Sequence, residues 1–194
     1  MELTDVVRKR RMTRSFSERP LATGDADRIL SAGLRGPSAG FTQAVDLVAL
    51  EGPVQTALYW DAALPRVARP AFSWPGLLRA PLLVVVLSSE DAYRRRYAEA
   101  DKARPGIDVP WWHVDAAFAA LLVQLAAIDI GLGTLFFQAH RPVALAAALG
   151  IPAAYSPVGT VAVGYAEVAA DRLSSSLVAR SPRPAAERIH RGGW

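Results

Sequence analysis

Arg8, Lys9, Arg10, Arg11 and Arg14 place five cations within seven residues near the start of the chain. Such a group can grip a phosphate, because guanidinium makes paired, charge-assisted hydrogen bonds to phosphoryl oxygens. Charge alone leaves two other readings open: favourable cations at a helix end, and a nucleic-acid patch. Aromatics interleaved with the cations, which stack bases in single-strand binders, are nearly absent; only Phe16 is close.

A second candidate is Gly36-Pro37-Ser38-Ala39-Gly40, which reads G-x-S-x-G. A serine nucleophile on such an elbow needs a strand before it and a helix after it. Here a helix precedes and a strand follows, so the segment also reads as a helix-ending turn; His190 and Asp171 lie downstream as the available triad partners. A third is Gly131-Leu132-Gly133-Thr134, which opens like a dinucleotide fingerprint but lacks the third Gly and follows a helix. The plainer reading is a glycine helix end leading into a short strand that includes Phe136 and Phe137. His113, His140 and His190 are scattered without metal-ligand spacing. Trp111-Trp112-His113 could wall a planar ligand's pocket or plug the start of a helix.

The elements that must position these groups follow from periodicity and stop signals. Residues 4–11 read as a short helix with Thr4 as N-cap and Asp5 in the first turn. Thr23 is expected to cap a second helix running to about Leu34, with Asp25 and Asp27 in its first turn. Residues 45–50 read as a strand, and residues 60–80 as a long surface excursion with one helical turn. Residues 81–87 form an apolar run between Pro and Ser-Ser, the pattern of a strand buried on both faces. Ser89 should cap a helix through Tyr97, followed by a polar loop at 101–110. A long apolar helix from near Val114 to Gly131 comes next, then a helix at 142–149 and a strand at 157–165. Residues 169–194 have almost no periodicity and would not be stable alone, so they must be disordered or packed on something, most simply a second copy of the chain.

With 194 residues the chain is one domain, and interleaved helices and few strands give an α+β class with one central sheet. Hydrophobic residues make up 52% and charged residues 21%, enough for a core and contrary to a disordered chain. The net charge of +4 suits anionic ligands without demanding nucleic acid. The absence of Cys excludes disulfide scaffolds, thiolate metal sites and Cys nucleophiles, and is compatible with the cytosol. The first residues lack a signal-peptide layout, and Asp115 and Asp129 inside the apolar run at 114–137 argue for a buried helix over a membrane span.

Taken together these segments resemble the nitroreductase family of flavin-dependent oxidoreductases. Residues 10–16 (Arg-Arg-Met-Thr-Arg-Ser-Phe) are similar to its R-R-S-x-R-x-F, and residues 32–43 to its A-x-x-A-P-S-A-G-N-x-Q. Residues 115–137 are similar to its D-x-x-x-A helix with G-L-G and the strand after it. Residues 151–165 are similar to its I-P…P-V…G-Y strand, and residues 183–194 to the R-P-x-x-E-x-V-H…W tail of one branch. The resemblance spans nearly the whole chain.

The resemblance implies a single nitroreductase-like domain, a mostly antiparallel sheet flanked by helices, with the C-terminal arm of residues 169–194 exchanged in an obligate homodimer. It implies FMN at the subunit interface and NADH or NADPH as reductant. Arg10, Arg11 and Met12 would hold the phosphate and ribityl, with Arg14 against phosphate or the pyrimidine edge and Arg35 also near flavin. Pro37, Ser38 and Ala39 would come from the other subunit and line the isoalloxazine, and Gln43 would also bind the cofactor. Phe136, Phe137 and Gln138 would face the reactive ring edge, and Arg180 or Arg183 would complete the phosphate clamp. No side chain is expected to act as catalytic acid or base. Three positions depart from the pattern: Met12 replaces Ser, Phe41 replaces Asn, and Gln138 replaces Gly. The expected activity is FMN-dependent, ping-pong reduction of nitroaromatics, quinones or similar planar acceptors in the cytoplasm, with neither nucleic acid nor membrane as partner. Alternatives are other redox chemistry on the same flavin fold (dehalogenation, dehydrogenation, deazaflavin-linked), a nucleic-acid-binding protein, and a Ser38 hydrolase.

Overall fold

The computed structural model describes residues 1–102 and 108–194. Part of the loop expected at 101–110, residues 103–107, therefore lies outside the described residues. The chain runs α1 (Leu3–Lys9), α2 (Asp25–Gly33), β1 (Val45–Glu51), α3 (Gly52–Ala63), β2 (Leu82–Ser88), α4 (Glu90–Tyr97), α5 (Trp111–Asp129), β3 (Gly133–Phe137), α6 (Pro142–Ala148), β4 (Ser156–Gly164) and α7 (Ser175–Ala179). The four strands form one antiparallel sheet in the order β1-β2-β4-β3.

β2 organises the molecule. All seven of its residues are buried, because helices cover both faces of the sheet. Alternation along the strand divides its side chains between two cores. Leu83, Val85 and Leu87 meet Tyr59, Trp60 and Ala63 of α3 and Leu145 of α6. Leu82, Val84 and Val86 meet Ala116, Ala119, Ala120, Val123 and Ala127 of α5 and Ile29 of α2. Each such aliphatic side chain contributes about 1.5–3 kcal/mol through burial. The small residues of α5 let it lie close to the sheet, and Gly33 lets α2 lie close to α5: a Cβ there would come 2.6 Å from Val123 Cγ2. α5 is long and apolar enough to cross a membrane by length and composition, but it serves here as the central helix, with Asp115 and Gln124 on its buried side.

Several boundaries differ from the sequence expectation. α1 is capped by Glu2, not Thr4, and stops at Lys9. It stops because residues 10–16 are drawn out along the sheet: Thr13 N–H donates to Thr134 O at 2.8 Å, and Phe16 bridges Ala166. Gly24, at φ 86°, caps α2 in place of Thr23. α5 begins at Trp111, so Trp111 and Trp112 belong to its first turn. The largest correction is at 52–80. Residues 52–63 are a full helix, and the excursion expected at 60–80 is on the surface only in its middle: residues 66–68 and 70–71 are exposed, but Trp60, Ala63, Leu64, Leu77 and Ala80 are buried in the core. Two tight 3-10 turns, Arg66–Ala71 and Pro75–Arg79, complete this layer. Ser89 caps α4 as expected, its hydroxyl accepting from Ala92 N–H.

Candidate functional site

The predicted residues fall into two groups at opposite ends of α5. Asp115 in its first turns anchors residues 36–43. Asp129 at its last residue pairs with Arg28 and with the N-terminal ammonium, next to the cationic run. The two carboxylates are fourteen residues apart on one helix, which is about 21 Å at 1.5 Å per residue.

At the cationic end the run does not form one cluster. Extended backbone sends successive side chains to opposite sides. Arg11 lines a cavity of about 410 Å³ with Met1, Lys9, Thr13 and Asp129. Arg14 lines another of about 390 Å³ with Trp74, Arg79 and Arg172 and no carboxylate. Arg8 pairs with Asp5, and Arg11 approaches Asp171 at 3.6 Å. Arg10 is half-buried at the end of α1 and makes no ion pair among the described residues. The Arg14 guanidinium donates to Met12 O at 3.2 Å and lies 5.1 Å from the centre of the Trp74 ring. Met12 bridges Thr134 at the start of β3, so the structure brings Arg11, Met12 and Arg14 beside that strand. Along β3, Phe137 stacks on Trp60 in one core. Phe136 turns to the other face and lies over Gly159, where a Cβ would run into its ring. Gln138 is exposed just past the strand.

At the other end, residues 36–43 form a tight loop. Ala39 N–H and the Tyr93 hydroxyl both donate to Asp115 Oδ2 at 2.7 Å. Asp115 is only 4% exposed, so these bonds replace the water its carboxylate has lost. Burial, followed by the hydrogen bond to Asp115, pushes the Tyr93 phenol well above its ordinary pKa. On the outer side Arg96 Nε donates to Gly40 O at 2.8 Å while its guanidinium grips Asp101. Gly40, Phe41 and Gln43 all have positive φ, at 62°, 54° and 52°. For Phe and Gln this is strained backbone, which persists only where surrounding contacts over-determine it. Ser38 Oγ accepts from Gln43 N–H at 2.8 Å. Ser38 follows a helix and not a strand, Asp171 is held by the Arg14 amide, and His190 is stacked on Trp194, so the elbow geometry of a serine hydrolase is absent among the described residues. Pro37, Ser38 and Gln43 line a cavity of about 430 Å³. Arg35 lies exposed just beyond α2.

The tail leaves the body beside the cationic run. Asp171 accepts from the Arg14 amide at 2.7 Å. Beyond it α7 and a short turn at Ala185–Glu187 are the only regular pieces described, and Arg180 and Arg183 are exposed. Arg183 pairs with Glu187 within the tail.

Sequence reasoning missed Tyr93, Trp74, Arg79 and Arg172, which become neighbours of the site only on folding. It named Asp115 as an argument for a buried helix and Asp171 as a triad partner, and gave neither its role as anchor of these loops. A carboxylate placed four residues into a mostly apolar helix was the available signal for Asp115. We expect Asp115→Ala to cost about 1–3 kcal/mol for each donor it orphans, Tyr93 OH and Ala39 N–H, and Asp115→Asn to cost less because an amide oxygen still accepts. Urea denaturation midpoints of the two variants check this.

Comparison with known proteins places these features in context. The model of the nitroreductase family matches residues 7–165. Among solved structures, a nitroreductase family protein from Clostridium difficile aligns over 100% of this chain and 100% of its own, with TM-score 0.75 and 16% identity. The oxidoreductase YcnD from Bacillus subtilis, described as hypothetical, aligns over 100% of this chain and 75% of its own, with TM-score 0.74 and 20% identity. The NfrA1 nitroreductase from B. subtilis aligns over 98% of this chain and 74% of its own, with TM-score 0.71 and 18% identity.

Proposed function

The chain belongs to the nitroreductase family of flavin-dependent oxidoreductases, and from that premise we propose that two copies of it hold FMN between them and use NADH or NADPH to reduce nitroaromatics, quinones or similar planar acceptors. The observation that carries this reading is the separation of the two groups along α5. Asp115 and Asp129, beside which they lie, are about 21 Å apart along the helix, so we take a single copy not to wrap one cofactor with both. A second copy packed antiparallel on α5 would bring its residues 37–39 to the cationic end of the first.

The outer face of α5 suits that partner. Phe118 and Leu121, one turn apart, are 40% and 43% exposed, and Leu34 beside them is exposed too. The emerging tail, rooted by Asp171 next to Arg14, would reach across the same seam and carry Arg180 or Arg183 to the partner's phosphate.

The residues fit the cofactor by charge. A phosphate dianion needs guanidiniums without competing carboxylates, and the lining around Arg14, Arg79 and Arg172 provides that. Arg14 and Arg10 would hold the phosphate, and Arg11, which lines the separate cavity that also contains Asp129, would be left to the ribityl. Pro37, Ser38 and Ala39 would wall the ring, held in place by Asp115. FMN would supply the hydride chemistry at this site. The protein's part is to bind, orient and keep one ring face open, so that reductant and acceptor alternate in one place and the kinetics are ping-pong. The location we propose is the cytoplasm.

The purified protein should be yellow, with a flavin absorbance spectrum, and should turn over NADH or NADPH with a nitroaromatic and a quinone. A colourless protein that does not take up added FMN overturns the reading. Bound flavin without turnover of any pair would move it to another reaction on the same fold.

A further inference from the structure

Resting on the flavin reading above, we infer that the cavity beside residues 36–43 is the acceptor pocket and that it selects neutral over anionic aromatic rings, with Phe41 as its specificity-determining residue. The cavity measures about 430 Å³. Leu34, Pro37, Phe41, Val45 and Ala119 give it apolar walls. Its charged residues are Asp46 and Asp115, and no Lys, Arg or His lines it among the described residues. The contrast with the cavity at the other end of α5, lined by Arg14, Arg79 and Arg172 and no carboxylate, is complete.

That polarity decides what can enter. An apolar ring gains by leaving water, whereas a carboxylate or sulfonate must lose its hydration and approach Asp46 and Asp115 with no cation among the cavity's own lining residues. Asp115 accepts from Ala39 N–H and Tyr93 OH, and Asp46 accepts from the Tyr155 hydroxyl, whose pKa that bond helps to raise.

Phe41 supplies the grip. Its side chain is 76% exposed although it belongs to an otherwise tightly held loop. The backbone around it is fixed on both sides, by Arg96 at Gly40 O and by its own N–H to Ser38 O at 2.8 Å. A bulky residue held at φ 54° with its ring in solvent is poor for the isolated fold. The placement makes sense when a planar partner covers the ring, since a rigid aromatic stacks at little cost in side-chain entropy.

The test uses the full-length protein as purified, oxidised and without NAD(P)H, so that no acceptor is consumed. 4-Nitrobenzamide and 4-nitrobenzoate are nearly isosteric and differ in charge; both are titrated by calorimetry. The amide should bind at least about tenfold tighter, and Asp46→Asn should narrow the gap to about threefold. Phe41→Ala should weaken the amide by about five- to tenfold while flavin content and dimer mass stay unchanged. Benzoate binding as tightly as the amide, or an amide affinity indifferent to Phe41→Ala, overturns the inference. A protein without flavin would sink the cofactor reading but leave this titration readable, because the lining residues belong to one protomer.

Discussion

Replacing Arg10 or Arg14 with Ala should each weaken FMN binding by about 1.5–3 kcal/mol, the range of a hydrogen bond to a charged group. Arg8→Ala should change it little. The distinction rests on what each guanidinium already holds. Arg8 is paired with Asp5 at 3.1 Å and stays in solvent, where such a pair contributes little. Arg11 is partly neutralised by Asp171. Arg10 makes no ion pair among the described residues, and the Arg14 side chain contacts a carbonyl and an indole ring but no carboxylate. These two carry uncompensated charge and are free to meet a phosphate dianion. Flavin per protomer after dialysis, and titration of the apoprotein by quenching of FMN fluorescence, measure the effect. Unchanged flavin in both variants would contradict the phosphate assignment.

The second large effect should come from a surface that touches no cofactor atom within its own protomer. Leu121→Glu together with Phe118→Glu places two charges on the outward face of α5. If a second copy covers that face, each charge is buried unpaired at a cost of several kcal/mol, enough to dissociate the dimer. The consequence for FMN separates this reading from a one-protomer site. Arg10, Arg11 and Arg14 remain intact, yet the wall at residues 37–39 is gone, so flavin should be lost along with the partner. Sedimentation velocity gives the mass and absorbance gives the flavin. A monomer that keeps its flavin would refute the composite site, and an undisturbed dimer would put the interface on another face.

Much of the scaffold was legible locally. The unbroken apolar run of β2 announced a strand covered on both sides, because alternation is erased when both faces are buried. Ser89 announced α4, since a hydroxyl before an acidic first turn satisfies an orphan N–H wherever it occurs. Pro142 and Gly150 bracketed α6 by backbone stereochemistry alone. α3 was not legible. Val54 and Leu58 are apolar yet exposed while Thr56 is buried, so hydropathy along this helix does not follow its buried face. The extended path of residues 10–16 was not legible either, because its partners at Thr134, Tyr165 and Ala166 are more than a hundred residues away.

The sequence by itself determined the chemical inventory: an arginine-rich segment, a glycine-proline turn bearing Ser38, an apolar central helix and a tail with almost no periodicity. These are properties of residue type and near neighbours, fixed by charge, backbone freedom and hydropathy. Only the tertiary structure decided where they stand. Asp115 reaches Ala39 across 76 positions and Asp171 reaches the Arg14 amide across 157. Contacts of that kind are set by how layers pack on the sheet, which no local pattern encodes. The rigid length of α5 is what holds the loop at residues 36–43 and the cationic run at opposite ends of one helix.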